Sequence, residues 1–509
     1  MTYKFVPHTE SSVPSKVMKD LIAGGTFLES IATNPYDWQA FKDQIRLQKG
    51  YSSDTRKVVL EAFERQNPVL SPSEQASVDA FRNGAPTITT GHQLMVCGGT
   101  VFFEAKILNA IALAKAASKE LGQDVVPVFW MATEDHDFEE IASFRISEHK
   151  FIWQNSGAKG PVGYLHTNDL AKQLESWTQN VPLSDPQKKL LEPRIQAYRE
   201  AKNLAQATRQ WVRQWAEGFG LLVIDGQDLD LKAHAAPLWS AEMNGIYSDL
   251  IQKQTNSLVA EGYKAQVFPR EINLFDLRDG DRQRFDRPDF NCPDFDISPN
   301  ALVRPLYQEL LLPNLAYVGG QGELAYWLQL GSAFEKLGRP IPLLYLRNSF
   351  LVQDNILSKD LQKLGLNIFE LLGTSGEGIK SQLLGKHTVL QAEGEALQAP
   401  LMEAIADWNR SLTESYPELR QHAAALKVKM EKLAQRTAEI RYRTHKRRHD
   451  EYMRSIDRAM DSIYPNGTFW ERRASYIDLI GKLGQDPRDA LVEKMSTIKA
   501  GILVIQPDF

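Results

Sequence analysis

The stretch Pro86–Glu140, PTITTGHQLMVCGGTVFFEAKILNAIALAKAASKELGQDVVPVFWMATEDHDFEE, decides how the chain is read. A β-branched run, Thr87–Thr90, breaks at Gly91, and a loop with Gly98 and Gly99 follows. Phe103, Ile107, Ile111 and Ala114 then recur at spacings of three and four, which predicts a helix with one apolar face. A second apolar run, Val125–Ala132, stops at Glu134-Asp135-His136-Asp137. Strand, loop, helix, strand and loop in this order make a parallel βαβ unit, which is right-handed almost without exception. Its two polar clusters, Thr89–Gln93 and Glu134–Asp137, fall at the carboxyl ends of adjacent strands. Open α/β sheets bind their ligands at that edge, so this crevice is the candidate active site.

Composition bounds the rest. At 509 residues the chain has room for about three domains on the usual length prior. A hydrophobic share of 43% and a charged share of 24% are those of an ordinary globular protein. The net charge of −5 argues against a protein that coats nucleic acid. Two cysteines, Cys97 and Cys292, are too few for a disulfide framework or a thiolate zinc site. The start, MTYKFVPHTE, shows no signal-peptide pattern, and no apolar run has the length of a membrane span. A cytoplasmic protein acting on a small polar substrate is the expectation.

Outward from the opening unit, residues 1–80 show helix-spaced apolar positions and read as a helical segment packed on the core. Residues 138–218 read as an insertion between strands of one sheet, followed by a buried strand, Leu221–Ile224, that ends at Asp225-Gly226. The stretch 266–300 alternates Asp and Arg and reads as a solvated loop or hairpin. A second strand–loop–helix–strand unit follows: Ala316–Val318, Gly319-Gly320-Gln321-Gly322, a helix from Glu323 to about Leu337, and Pro340–Leu346 ending at Arg347-Asn348-Ser349. A glycine turn before a helix suits a phosphate or carboxylate. From about 386 to 465, Leu419, Ala423, Leu426, Met430, Leu433, Thr437 and Ile440 keep a seven-residue period, which predicts an antiparallel helical coiled coil. Residues 466–509 read as a C-terminal segment packing back on the core, which spans 81–385.

The chemistry concentrates in the crevice. His92, Asp135, His136 and Asp137 are the candidate catalytic residues, with His136 as proton acceptor. Thr90, Gly91, Gln93, Glu134, Gly319, Gly320, Gln321, Glu323, Tyr326, Trp327, Arg347 and Asn348 are candidate substrate contacts. A single histidine is more often an ordinary hydrogen-bonded side chain, but two at adjacent strand ends beside carboxylates favour function. His and carboxylate are competent metal ligands, yet the spacing matches no metal motif and no metal is assigned. Cys97 reads as a small buried hydrophobe. The basic run Arg441, Arg443, Lys446, Arg447 and Arg448, with His445 and His449, reads as a solvated helix face, with RNA binding as the alternative.

TGHQ at 90–93, PVFWMATEDHDFEEI at 127–141, SPNALVRPLYQELLLPNLAYVGGQGELAYWLQL at 298–330 and LRNSF at 346–350 resemble the BshC family, the cysteine-adding enzymes of bacillithiol biosynthesis. The resemblance extends over essentially the whole chain. It implies an α/β, Rossmann-like parallel-sheet core similar to class I aminoacyl-tRNA synthetases, with inserted connecting segments and a long coiled coil that forms a homodimer. It also implies a ligase that joins the carboxyl group of cysteine to the amine of glucosaminyl-malate, with ATP or another nucleotide as the activating cosubstrate. The synthetase His-x-Gly-His motif is represented by Thr89, Thr90, Gly91 and His92, with Thr in place of the first His. Arg347-Asn348-Ser349 stands where a Lys-Met-Ser-Lys-Ser loop would follow the last core strand; Lys494-Met495-Ser496-Thr497 lies far downstream. The alternative implied by these departures is a degenerate synthetase-like scaffold that acts through its coiled coil.

Overall fold

The computed structural model describes residues 1–24, 26–155, 157–373, 378 and 399–508. They fall into two compact units, residues 1–9, 13–352 and 469–509 in the first and 10–12 and 353–468 in the second.

The first unit is built on a sheet of five parallel strands, Thr87–His92 (β1), Val126–Met131 (β2), Leu222–Asp225 (β3), Asn314–Gly319 (β4) and Leu343–Leu346 (β5). Their order is β5-β4-β1-β2-β3, as a Rossmann-like core requires. From β1 the chain moves outward through β2 to β3, then returns to the other side for β4 and β5. The order therefore reverses between β1 and β4, and the carboxyl ends of those strands open a crevice. Every residue of β2, β4 and β5 is buried, which explains why these strands read as continuous apolar runs rather than alternating ones.

The crossover helix α1, Phe102–Leu121, is buried along most of its length and ends at Gly122 in the left-handed region, φ 66°. Its Ala110, Leu113, Ala114 and Ala117 pack with Ile88, Ala316, Val318 and Tyr345 on one sheet face. The other face carries Val128, Trp130 and Ile224 against Trp239, Tyr307 and Trp327. Each such large side chain contributes roughly 1.5–3 kcal/mol on burial, so the strand ends are held on a rigid base.

The segment between β2 and β3 is an insertion of a hairpin, Ser143–Ile146 with His149–Ile152, and three helices ending with Leu204–Trp215. One expectation needs correction. The first residues are a strand, Thr2–Pro7, paired antiparallel with Gly501–Gln506, which in turn runs parallel to Ser349–Val352. Helical spacing further along the segment masked this short pairing. The stretch 266–300 forms a hairpin, as expected, with a third strand added. Leu274–Asp276 pairs with both Gln283–Arg284 and Ile297–Pro299, and the buried Leu274 and Ile297 anchor the small sheet to the core.

In the second unit, Asn355–Leu364 packs on a long helix, Arg420–Ile463, and Arg458 bonds the Asp360 carboxylate. A helix over 399–415 precedes the one-turn Pro417–Leu419, where proline fits a helix start. Asn409 Nδ2 donates to the Ala423 carbonyl at 2.8 Å, so the two helices meet as a hairpin. Ala423, Ile456, Ala459 and Ile463 are buried, whereas Met430, Leu433 and Ile440 are exposed. Residues 386–398 of the expected coil lie outside the described residues, as do the side chains of His445, Lys446, Arg448 and His449 in the basic run. Among the described residues no helix is long and apolar enough to cross a membrane.

Candidate active site

The crevice at the β1/β4 reversal has a volume of about 750 Å³, within the range of small-molecule sites. Its floor is a buried ion pair. Lys106 of α1 bonds Glu323 and also donates to the Gly91 carbonyl at 2.9 Å. Glu323 accepts from the Gly320 N–H at 2.9 Å and from the Tyr317 hydroxyl at 3.1 Å. Burial opposes the charge on Glu323, but the Lys106 ammonium outweighs it and holds the carboxyl below the usual glutamate range.

His92 ends β1 beside this pair, against Phe102 and Phe103. Its Nδ1 lies 3.1 Å from the Gln93 carbonyl. A carbonyl only accepts, so Nδ1 carries the proton and Nε2 offers a lone pair. Desolvation, with the Lys106 charge adding to it, pushes the imidazole pKa down to about 3. His92 is thus neutral near pH 7 and presents an acceptor to the crevice.

The opposite wall is acidic. Gln93 Nε2 donates to Asp135 Oδ2 at 2.6 Å and to Glu140 Oε2 at 2.8 Å. Burial alone would raise the Asp135 carboxyl, but the hydrogen bond from Gln93 and the charge of Arg282 hold it below the usual aspartate range. Arg282 donates to the Pro299 carbonyl at 2.8 Å and reaches His136 Nδ1 at 3.2 Å. Glu134 pairs with the fully buried Lys232 at 2.6 Å, and its Oε2 has no hydrogen-bond partner.

A third element is cationic. Arg304 Nη1 donates to Gln308 Oε1 at 2.9 Å, and its guanidinium lies 5.7 Å from the Tyr317 ring centre. No carboxylate pairs with it among the described residues. Glu323 acts on it at longer range but is bonded to Lys106. A desolvated cation without a counter-ion favours an anionic ligand.

The structure brings His92, Gly91, Gln93, Glu134, Asp135, Gly320, Gln321, Glu323, Tyr326 and Arg347 to the crevice wall. It does not bring the others. His136 is exposed at the rim, 52% accessible and tied to Arg282, so it is poorly placed as proton acceptor. Asp137 caps the short helix Phe138–Ile141 by accepting from the Glu140 N–H at 3.1 Å. Thr90 Oγ1 is buried on the Val318 carbonyl at 2.8 Å, and Gly319 is buried in β4. Trp327 is stacked on Tyr317 at 4.2 Å inside the core. Asn348 is spent on Asn109 and on the Gly501 N–H. Arg347 reaches the wall with its guanidinium in a bidentate pair with Glu471, at 2.7 and 3.0 Å. Gln321 turns its amide to Ser15 N and the Val13 carbonyl.

The glycine turn Gly319–Gly322 is likewise not a phosphate cradle. The helix it opens is capped by Glu323, whose carboxylate already sits at the site an anion would take. His92 offers a lone pair rather than a proton, so neither place is arranged for nucleotide phosphates. Cys97 is buried, and burial pushes its thiol up to about 12, so no thiolate nucleophile is present near neutral pH.

With that geometry in place, likeness to known proteins becomes decisive. The family model for the bacillithiol biosynthesis BshC N-terminal Rossmann-like domain matches residues 1–297 and 290–348, and that for the BshC C-terminal coiled-coil domain matches 350–507. The chain belongs to the BshC family. A relative from Flavobacterium johnsoniae is 30% identical, with 98% of this chain and 99% of the relative covered. One from Cytophaga hutchinsonii is 29% identical, with 94% of each covered, and one from a Geobacillus strain is 26% identical over 80% of this chain and 81% of its own. All three bear the name "Putative cysteine ligase BshC".

Within this BshC-family chain, sequence reading missed Lys106, Arg282 and Arg304. Lys106 had a signal: with Glu104 it is one of two charges between Phe103 and Ile107 at the start of a helix whose next two turns are apolar. Arg282 was hidden in a stretch that reads as solvated, and Arg304 sits next to Pro305 at a helix start with no pattern to mark it.

Proposed function

We propose that this protein is the cysteine ligase of bacillithiol biosynthesis, joining the carboxyl group of cysteine to the amine of glucosaminyl-malate. The observation that carries this reading is what one crevice gathers: Arg304 without a carboxylate partner among the described residues, the carboxylates of Asp135 and Glu140, and the neutral His92. Arg304 suits a malate carboxylate, through charge-assisted hydrogen bonds. Asp135, Glu140 and the free Oε2 of Glu134 suit the sugar hydroxyls. The Nε2 lone pair of His92 suits the amine, because it accepts an N–H and orients the nitrogen lone pair toward the acyl carbon.

The chemistry forms one amide bond. The amine nitrogen attacks the acyl carbon and forms the C–N bond, the bond from that carbon to its activating group breaks with the electron pair leaving on the group, and the nitrogen's proton passes to water. A carboxylate does not condense with an amine unaided, so the cysteine must arrive activated. ATP or another nucleotide, implied by the synthetase likeness, is kept in the proposal with its phosphates outside the two contacts excluded above. The reading also places the work in the cytoplasm and pairs two copies through the helical unit, supported by the exposed Met430, Leu433 and Ile440. The test is direct. Purified protein is incubated with cysteine, glucosaminyl-malate and ATP, and bacillithiol is sought by mass spectrometry. Accumulation that depends on all three supports the proposal. Absence of product, with both substrates binding elsewhere or not at all, overturns it.

A further inference from the structure

A separate cavity of about 350 Å³ lies at the carboxyl end of β3, on the far side of β2's end, and meets the crevice only at Thr133. It is lined by opposite charges that do not touch. Asp225, the last residue of β3, is buried, and its Oδ1 accepts from the Gln227 N–H at 3.0 Å. Arg209, on the helix Leu204–Trp215, faces the cavity without an ion pair or hydrogen bond among the described residues. Each charge acts on the other across the space. Gln227 is 8% accessible, and its Nε2 donates to the Phe295 carbonyl at 2.9 Å. That bond fixes the amide orientation and leaves Oε1, a buried acceptor, with no hydrogen-bond partner. Lys202 and Tyr164 complete the rim.

A buried carboxylate and a partly buried guanidinium, held apart by a cavity, are satisfied together by a ligand that carries both signs. An α-amino acid does so. Its ammonium fits Asp225 and the Gln227 carbonyl, and its carboxylate fits Arg209 and Lys202. We propose that this cavity is a second ligand site, for a small zwitterion of the α-amino-acid class, distinct from the crevice.

The site has a rigid link to the crevice. Gly163 N–H donates to the Thr133 carbonyl at 3.1 Å and Val162 N–H to the Asp135 carbonyl at 2.6 Å. A Cβ at Gly163 would lie 2.3 Å from Thr133 Cγ2, so only glycine permits that approach. Tyr164 of the cavity is thus two residues from backbone that is bonded to the acidic wall.

The test is calorimetric titration of the full chain with L-cysteine, with propionate and ethylamine as single-charge controls. The wild type is expected to bind cysteine and neither control. Arg209→Gln is expected to weaken one cysteine site at least tenfold, and Asp225→Asn to do the same, while Arg304→Gln in the crevice leaves that site intact. Binding that is unchanged in Arg209→Gln, or that is lost only in Arg304→Gln, overturns this proposal and leaves the reading of the crevice standing. Loss in Arg209→Gln with no turnover of glucosaminyl-malate by the wild type supports the zwitterion site and removes the ligase reading instead. Arg209 is partly exposed on a helix surface, so that variant is the one expected to fold normally should Asp225→Asn fail.

Discussion

Lys106 and Glu323 are bonded to each other beneath the point where the sheet order reverses, and each also holds backbone at a strand end: Lys106 the Gly91 carbonyl, Glu323 the Gly320 N–H. One ion pair thereby fixes the separation of β1 and β4 at the crevice floor. Replacing Lys106 by Met strands a buried carboxylate, which costs about 3–5 kcal/mol. Urea denaturation of Lys106→Met is expected to show that loss, and the double variant Lys106→Met/Glu323→Gln to recover part of it.

Arg304 is a crevice cation with no carboxylate partner among the described residues. Arg304→Gln removes the charge and leaves a shorter polar side chain in its place. Hydrogen bonds to charged groups contribute about 1.5–3 kcal/mol, so affinity for glucosaminyl-malate is expected to fall about 10- to 150-fold, with thermal stability nearly unchanged. Equilibrium titration with the dicarboxylate substrate and with its malate-free analogue separates the two: only the former should weaken.

His92 makes stability depend on pH in a fixed direction. Its folded pKa is about 3, below the ordinary histidine value of 6.5. Between those values the unfolded chain binds the extra proton, so stability rises with pH through this window, is complete above 6.5, and is lost as pH falls toward 3. His8, pushed down to about 4 by burial, acts in the same sense. The difference between wild type and His92→Asn isolates His92. The variant's stability curve between pH 4 and 6.5 is expected to be shallower by up to about 1.4 kcal/mol per pH unit.

Glu309 acts in the opposite sense. Burial raises its carboxyl to about 7, although Asn314 and Gln308 both donate to its Oε1. From about pH 4.5 to 7 the folded state keeps a proton that the unfolded chain has released, so this residue's contribution falls as pH rises. Glu309→Gln keeps the Oε1 acceptor and cannot ionise. It is expected to match the wild type near pH 4.5 and to exceed it at pH 8, as read from chemical denaturation at the two pH values.

The core was legible because its strands are buried on both faces. Val125–Ala132 and Ala316–Val318 have no alternation to confuse, and Gly91, Gly319 and the helix-spaced residues of α1 mark where each element stops. The placement of His92, Gln93 and Asp135 in one crevice followed from topology alone. What failed has a common cause: one-dimensional spacing does not say which partner takes a polar group. Glu323 reads as the first residue of a helix behind an anion-binding turn, yet three residues after Gly320 it is the turn's own cap. Asn348 and Trp327 follow motif residues in sequence but point into contacts made by Asn109 and Tyr317. His136, flanked by Asp135 and Asp137, reads as a proton acceptor in the crevice, and only the fold shows it at the rim, held by Arg282.

On the proposed function, the crevice between β1 and β4 holds the amine-bearing substrate. The most direct test is a crystal structure of the protein saturated with glucosaminyl-malate. The account predicts a malate carboxylate on the Arg304 guanidinium and the sugar nitrogen within hydrogen-bond distance of His92 Nε2. Density for the ligand anywhere other than that crevice, or an empty crevice in a crystal whose solution titration shows binding, would contradict it.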